Sequence, residues 1–282
     1  MPRPAMGDNE RLVLLAWPRS GSSSLWEILR AHPELRLMAD EPFNESFTEW
    51  SPGNPDYLAR LRDVESLDLV LDELFRAYRG IKVLSYQLDE EQLTHLVQRP
   101  GLRIIYISRR NLLQTAVSDR IAKQTHVFNR WDVRPDETLE HRYDSLTPLD
   151  LDDLRSYVHE LASHLARIDS VLNRPSDSRT LRLHYEDLYF ASRASQLAQL
   201  SVLWSFLGLP PLSSPEVDYY LNPDTAKLGG TDTYGRLPNA AQIDAVLGAD
   251  DTGRLFPLVD RGGSIRVNQD LPVNDPRLCR ST

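Results

Sequence analysis

Apolar runs and amphipathic stretches alternate along this chain. Leu12 to Trp17 is an unbroken apolar run that meets a turn of small residues, Pro18-Arg19-Ser20-Gly21-Ser22-Ser23-Ser24. Leu25, Trp26, Ile28 and Leu29 then recur at helical spacing. IKVLSYQL at 81–88, LRIIYISR at 102–109 and TLRLHYEDL at 180–188 read as further strands. The period predicts helices over about 67–79, 90–98, 111–127, 149–173 and 192–207, the last closing at Gly208-Leu209-Pro210. Residues 40–58, rich in Pro, Asn and Trp, read as irregular loop, and the polar stretch 129–148 reads as a loop or lid. From Ser213 onward the chain is loop-rich, with Gly229-Gly230 and one helix near 239–248.

Strands that alternate with helices predict a parallel sheet covered on both faces. The expectation is an α/β chain with a three-layer fold of the P-loop type, a central and mostly parallel sheet of about five strands flanked by helices. One domain over 1–282 is expected, with its core at about 10–250 and a loop-rich tail at 251–282. Ligands of such sheets sit at the carboxyl ends of the strands, where the turn at 18–24 and the end of the 102–109 run both fall.

Composition narrows the partners. The net charge of −9 argues against a nonspecific nucleic-acid surface, so an anionic ligand needs a local basic pocket. No apolar stretch approaches the roughly 20 residues that span a membrane. The N-terminus lacks the apolar core of a signal peptide, which makes a cytoplasmic enzyme the expectation. The single Cys279 permits no disulfide within the chain. No histidines have metal-ligand spacing, and His159 and His164 are not four apart on a helix. No metal is expected. Lys82, Lys123 and Lys227 are the only lysines, so each carries more information than usual.

The turn at 18–24 has the layout of a phosphate cradle: strand, Gly/Ser turn, helix N-terminus, with backbone N–H groups and the helix dipole facing an anion. Taken by itself it is as readily a Ser/Gly turn capping a helix through Ser22 or Ser23. The Gly-Lys-Ser/Thr ending that serves magnesium nucleotides is missing, and Arg19 sits early instead.

PRSGSSSL resembles the 5′-phosphosulfate loop of sulfotransferases, whose donor is 3′-phosphoadenosine 5′-phosphosulfate. In ISRRNLLQTAVSDRIAKQT, Arg110 at a strand end and Ser118 eight residues later match that family's 3′-phosphate motif. LRLHYEDL followed by WSFLGLP is a third, weaker match, and together the three span about 12–210. QTAVSDRIAKQTHVFNRW and GIKVLSYQL are similar to segments of the bacterial trehalose and nodulation-factor sulfotransferases. Asp40-Glu41-Pro42 falls where those enzymes carry Gly-Glu-Pro. The chain departs from the cytosolic phenol and steroid enzymes, having Lys82-Val83-Leu84 where they have Lys-Thr-His, and no RKG-type adenosine loop is found.

The resemblance implies roles. Arg19 would neutralise charge on the bridging oxygen, and Ser20, Gly21, Ser22, Ser23 and Ser24 would hold the 5′-phosphate. Arg110 and Ser118 would take the 3′-phosphate, with Arg109 as the competitor in register. Glu41 would be the general base, Lys82 a donor or acceptor contact, and Lys227 and Arg236 a closure over the donor. Tyr86, Phe128 and Trp131 are candidates for stacking on a sugar or adenine, against the commoner fate of core aromatics. The expected product is adenosine 3′,5′-bisphosphate beside the sulfate ester of a small-molecule or glycan hydroxyl, and the subgroup implies a homodimer. Two rivals stay open: a P-loop small-molecule kinase, and a non-catalytic nucleotide-binding protein of the same fold.

Overall fold

The computed structural model describes residues 7, 10–129, 138–173, 179–212, 214–222, 231–256, 258–259 and 265–266. In chain order the elements are β1 (Arg11–Ala16), α1 (Ser22–Arg30), α2 (Phe47–Trp50), α3 (Tyr57–Arg60), α4 (Val64–Ala77) and β2 (Gly80–Leu84). Then come α5 (Glu90–Gln98), β3 (Leu102–Ser108), α6 (Leu112–Thr125), α7 (Leu139–Tyr143), α8 (Leu151–Leu172), β4 (Thr180–His184) and α9 (Tyr185–Tyr189). The last are α10 (Arg193–Leu207), α11 (Pro215–Leu221), α12 (Thr231–Gly235), α13 (Ala240–Leu247), β5 (Leu258–Val259) and β6 (Ile265–Arg266). They divide into two compact units, Met1–Ser108 with Ile168–Ala226, and Arg109–Arg167 with Lys227–Thr282.

The first unit holds a parallel sheet of four strands in the order β2-β1-β3-β4. About five were expected. The four apolar runs of the sequence supply all four, and the remaining described strands, β5 and β6, form a separate antiparallel pair. Because side chains alternate along a strand, β1 feeds both faces. Leu12, Leu14 and Ala16 join Ile105, Ile107, Leu183, four side chains of α1 and the apolar stripe of α10 in one core. Val13, Leu15, Ile81, Val83 and Ile104 point the other way and are just as buried, so both faces are covered. The order reverses at β1, which makes the carboxyl ends of β1 and β3 the switch point where ligands of open α/β sheets bind.

Two apolar runs end earlier than their sequence suggests. The 81–88 run leaves the sheet at Leu84 and enters a 3₁₀ turn, Ser85–Gln87. The 180–188 run leaves at His184 and becomes α9. Tyr and Leu suit either state, and tertiary contacts decide between them. The stretch after Ser213 is also less irregular than expected. Ser214 caps α11 by accepting from the Val217 amide at 3.3 Å, with Pro215 at the first helical position.

The second unit has its own core, built from α6, the first part of α8, α12 and α13, with Leu113, Val117, Leu154, Tyr234 and Ile243 buried. Asn111 caps α6 by accepting from the Gln114 amide at 2.8 Å, and donates to the Arg254 carbonyl at 2.8 Å. In α8, burial, with Arg167 adding to it, pulls His164 from 6.5 down to about 4. An unfolded chain therefore takes up this proton as pH falls below 6.5, while the folded one resists until about 4. The melting temperature should drop through that window, and His164→Gln should flatten the drop in pH-dependent thermal melts.

Candidate functional site

In the first unit, β1 delivers the chain at Trp17 into a turn with two left-handed residues, Arg19 (φ 66°) and Gly21 (φ 82°). Glycine adopts this freely, whereas arginine there is an outlier whose strain costs about 1–2 kcal/mol, a cost that clusters at functional sites. Gly21 is the N-cap of α1, so no side chain caps that end. The first helical bond runs from the Leu25 amide to the Gly21 carbonyl at 3.2 Å. The amides of Ser22 to Ser24 come before it and have no carbonyl a turn earlier to bond. The first turn carries no acidic residue. Ser20 is buried, and its hydroxyl has no hydrogen-bond partner among the described residues. An uncapped helix N-terminus, an orphaned buried hydroxyl and a basic residue in the same turn fit a bound phosphate or sulfate.

Two tyrosines that the sequence reading passed over fix this turn from behind. The single turn of α9 puts Tyr185 and Tyr189 four apart on one face, their rings 5.1 Å between centroids. Tyr189 donates its hydroxyl to the Gly21 carbonyl at 2.8 Å. Burial, and then Tyr185 beside it, pushes the Tyr189 phenol well up, so it stays a donor. A Cβ on Gly21 would lie 2.6 Å from Tyr189 and 2.7 Å from Tyr185. The Tyr-x₃-Tyr spacing puts both rings on one face of a helix or of a strand alike, so it does not by itself signal the helical turn.

Glu41 and Lys82 meet at this turn. Lys82 pairs in register with Leu14, so it projects from the same face as the β1 residues that pack on α1. Its buried ammonium lies 2.8 Å from Glu41 Oε1 and donates to Ser23 Oγ at 3.2 Å. Asn44 donates to Glu41 Oε2 at 2.9 Å, and Gln87 reaches the same oxygen at 3.5 Å. The segment bearing Glu41 is anchored just upstream: the Met38 amide donates to the Gly80 carbonyl at 3.0 Å and the Trp26 indole to the Met38 carbonyl at 2.8 Å. Asn44 lies only three residues from Glu41, in a stretch with no regular period to mark it, whereas Gln87 is 46 residues away and leaves no local pattern. Tyr86, next to Gln87, is half exposed and stands edge-on to Trp17 at 5.9 Å.

The second unit holds the Arg109–Arg110 pair. β3 ends at Ser108, so Arg110 lies in the short link before α6 and not at the strand end. Arg109 is buried, donating to Gln114 Oε1 at 2.5 Å and to the Tyr234 hydroxyl at 3.2 Å. Those contacts tie Arg109 to the core of the unit, while Arg110 is half-buried. Ser118 is buried two turns into α6. Arg236 is exposed and pairs with Asp144 at 3.4 Å, a surface pair of small energetic weight. Phe128 is exposed. Lys227, Trp131 and Gly229-Gly230 lie outside the described residues.

Among the described residues, no group of three or more His, Cys, Asp or Glu could hold a metal ion, and no helix is long and apolar enough to cross a membrane. No family model and no curated protein matches the chain. Among solved structures it is similar to mouse sulfotransferase SULT7A1 complexed with PAP, at 18% identity and a TM-score of 0.44 over 77% of this chain. The chain spans only 65% of the length of that mouse protein. It is also similar to a sulfotransferase from Alicyclobacillus acidocaldarius, at 15% identity and a TM-score of 0.42, covering 88% of this chain and 96% of that one. A third is the sulfotransferase domain from the curacin biosynthetic pathway, at 17% identity and a TM-score of 0.39, covering 78% of each chain.

Proposed function

We propose that this chain transfers a sulfuryl group from 3′-phosphoadenosine 5′-phosphosulfate to a hydroxyl of a carbohydrate, glycoconjugate or secondary-metabolite acceptor. The observation that carries the reading is the junction of base and cradle: one ammonium, that of Lys82, touches both Glu41 and Ser23. A general base for sulfuryl transfer has to sit beside the group being transferred, and this arrangement puts a carboxylate beside an anion loop. The choice of donor rests on the sequence motifs at 18–24 and at Arg110 with Ser118.

In this reading the amides of Ser22 to Ser24 and the Ser20 hydroxyl hold the 5′-phosphate. Glu41 takes the proton of the acceptor hydroxyl as that oxygen attacks sulfur in line. A carboxylate offers about four lone-pair positions. Lys82, Asn44 and Gln87 occupy three of them, which leaves one for the acceptor. The new oxygen–sulfur bond forms as the bond from sulfur to the phosphate oxygen breaks, and the electron pair leaves on the bisphosphate. Arg19 stabilises that charge, which is preorganised electrostatic catalysis. The products are the sulfate ester, adenosine 3′,5′-bisphosphate and a proton on Glu41. Arg110 and Ser118 are assigned to the 3′-phosphate on their spacing.

The first test is a thermal melt with adenosine 3′,5′-bisphosphate, against AMP and against ATP with magnesium. A ligand at a hundred times its Kd stabilises by about 2.7 kcal/mol. Selective stabilisation by the bisphosphate is expected, and stabilisation by ATP with magnesium alone would put a kinase in its place. Arg110→Ala should erase the preference for the bisphosphate over AMP. A charge-assisted hydrogen bond contributes about 1.5–3 kcal/mol, so calorimetry should read a loss of roughly 10- to 100-fold.

A further inference from the structure

We infer that Lys82 is a positioning residue shared between the anion loop and Glu41, through which an anion in the loop tunes the carboxylate. The inference rests on the reading of 18–24 as an anion cradle and Glu41 as the base. Lys82 is buried in the middle of β2, where an ammonium needs a counter-charge to be tolerated. Its counter-charge is Glu41 at 2.8 Å, and its other contact is the Ser23 hydroxyl at 3.2 Å, in the first turn of α1. Arg19 is the basic residue of the turn itself, and the first turn of α1 has no acid, so an anion at this helix end adds a second negative claimant on the Lys82 ammonium.

One cation cannot serve two anions at full strength. With the loop empty, Lys82 pairs with Glu41 and occupies a lone pair of its Oε1. With an anion in the loop, the ammonium leans toward Ser23 and its hold on the carboxylate loosens. Asn44 and Gln87 keep the carboxylate in place while its lone pairs turn toward the acceptor. That lone pair is thereby released to the acceptor once the donor is bound, which favours donor-first order. Linkage makes the coupling reciprocal: if the anion loosens Lys82 from Glu41, removing the Glu41 charge must tighten anion binding.

The test is a double-mutant cycle read by calorimetry with two probes, adenosine 3′,5′-bisphosphate and inorganic pyrophosphate. Glu41→Gln should tighten both by about tenfold when Lys82 is present, the scale of one charged hydrogen bond. In Lys82→Met the same substitution should gain no more than about twofold, because only direct repulsion is left to relieve. Lys82→Gln serves as the second background if the methionine variant does not fold. An equal gain with and without Lys82 overturns the inference and leaves the sulfotransferase reading standing. Pyrophosphate showing the cycle while the bisphosphate binds no better than AMP does the reverse. Binding of neither probe overturns both.

Discussion

Glu41→Gln lowers turnover by about 10²–10⁴, the range for losing a general base, without lowering affinity for the bisphosphate. The amide keeps the size and shape of the carboxylate. It still accepts from Asn44 through its carbonyl, so the segment anchored at Met38 stays where it is. What disappears is the ability to take a proton from the acceptor. The measurement is single-turnover sulfuryl transfer to any acceptor found by screening, beside a binding isotherm for the bisphosphate. Unchanged turnover would remove Glu41 from the chemistry and leave it as the counter-charge of Lys82. Loss of binding along with turnover would instead mean that the loop had been disturbed.

Gly21→Ala should be the most damaging single change in the loop. The residue sits at φ 82°, and its new Cβ would meet the Tyr189 and Tyr185 rings at 2.6 and 2.7 Å. Both rings are buried, so neither can swing away without breaking the core beside α10. The left-handed backbone costs about 1–2 kcal/mol for any residue with a Cβ, and overpacking adds typically about 1–3 kcal/mol. Denaturant melts should show a loss of roughly 2–5 kcal/mol. Bisphosphate binding should vanish even where the protein stays folded. Removing the Tyr189 hydroxyl by Tyr189→Phe should cost far less, because the Gly21 carbonyl keeps its bond from the Leu25 amide and the rings stay packed.

What could be read from sequence was what is written locally. The anion loop announces itself because strand, Gly/Ser turn and amphipathic helix are contiguous, and each of the four strands of the parallel sheet falls in one of the runs read as strands. The ends of those runs were harder. Tyr185 continues the apolar pattern of β4, yet it belongs to a helical turn whose purpose is to meet Gly21, and that contact is long-range. Glu41 was legible only through the Asp-Glu-Pro resemblance. Its link to Lys82 was not legible at all, since it depends on which face of β2 the lysine takes, and the pairing with Leu14 sets that. Arg109 and Arg110 are indistinguishable by type. Burial of Arg109 against Gln114 and Tyr234 separates them.

The anchoring of Met38 on Gly80 has a second consequence, for solubility. β2 is an outer strand of the sheet, five buried residues long, and outer strands invite pairing with a second chain. Leu37 bridges to Gly80 and Met38 bonds to it, so the backbone leading to Glu41 lies along the start of that open flank. Gly80 permits the approach, since a Cβ there would fall 2.8 Å from Leu37. The same few residues therefore aim a carboxylate and shield a strand from its neighbours. Loop grafts between about 35 and 45 made to change acceptor choice should show their first effect as aggregation during expression, before any altered specificity can be measured.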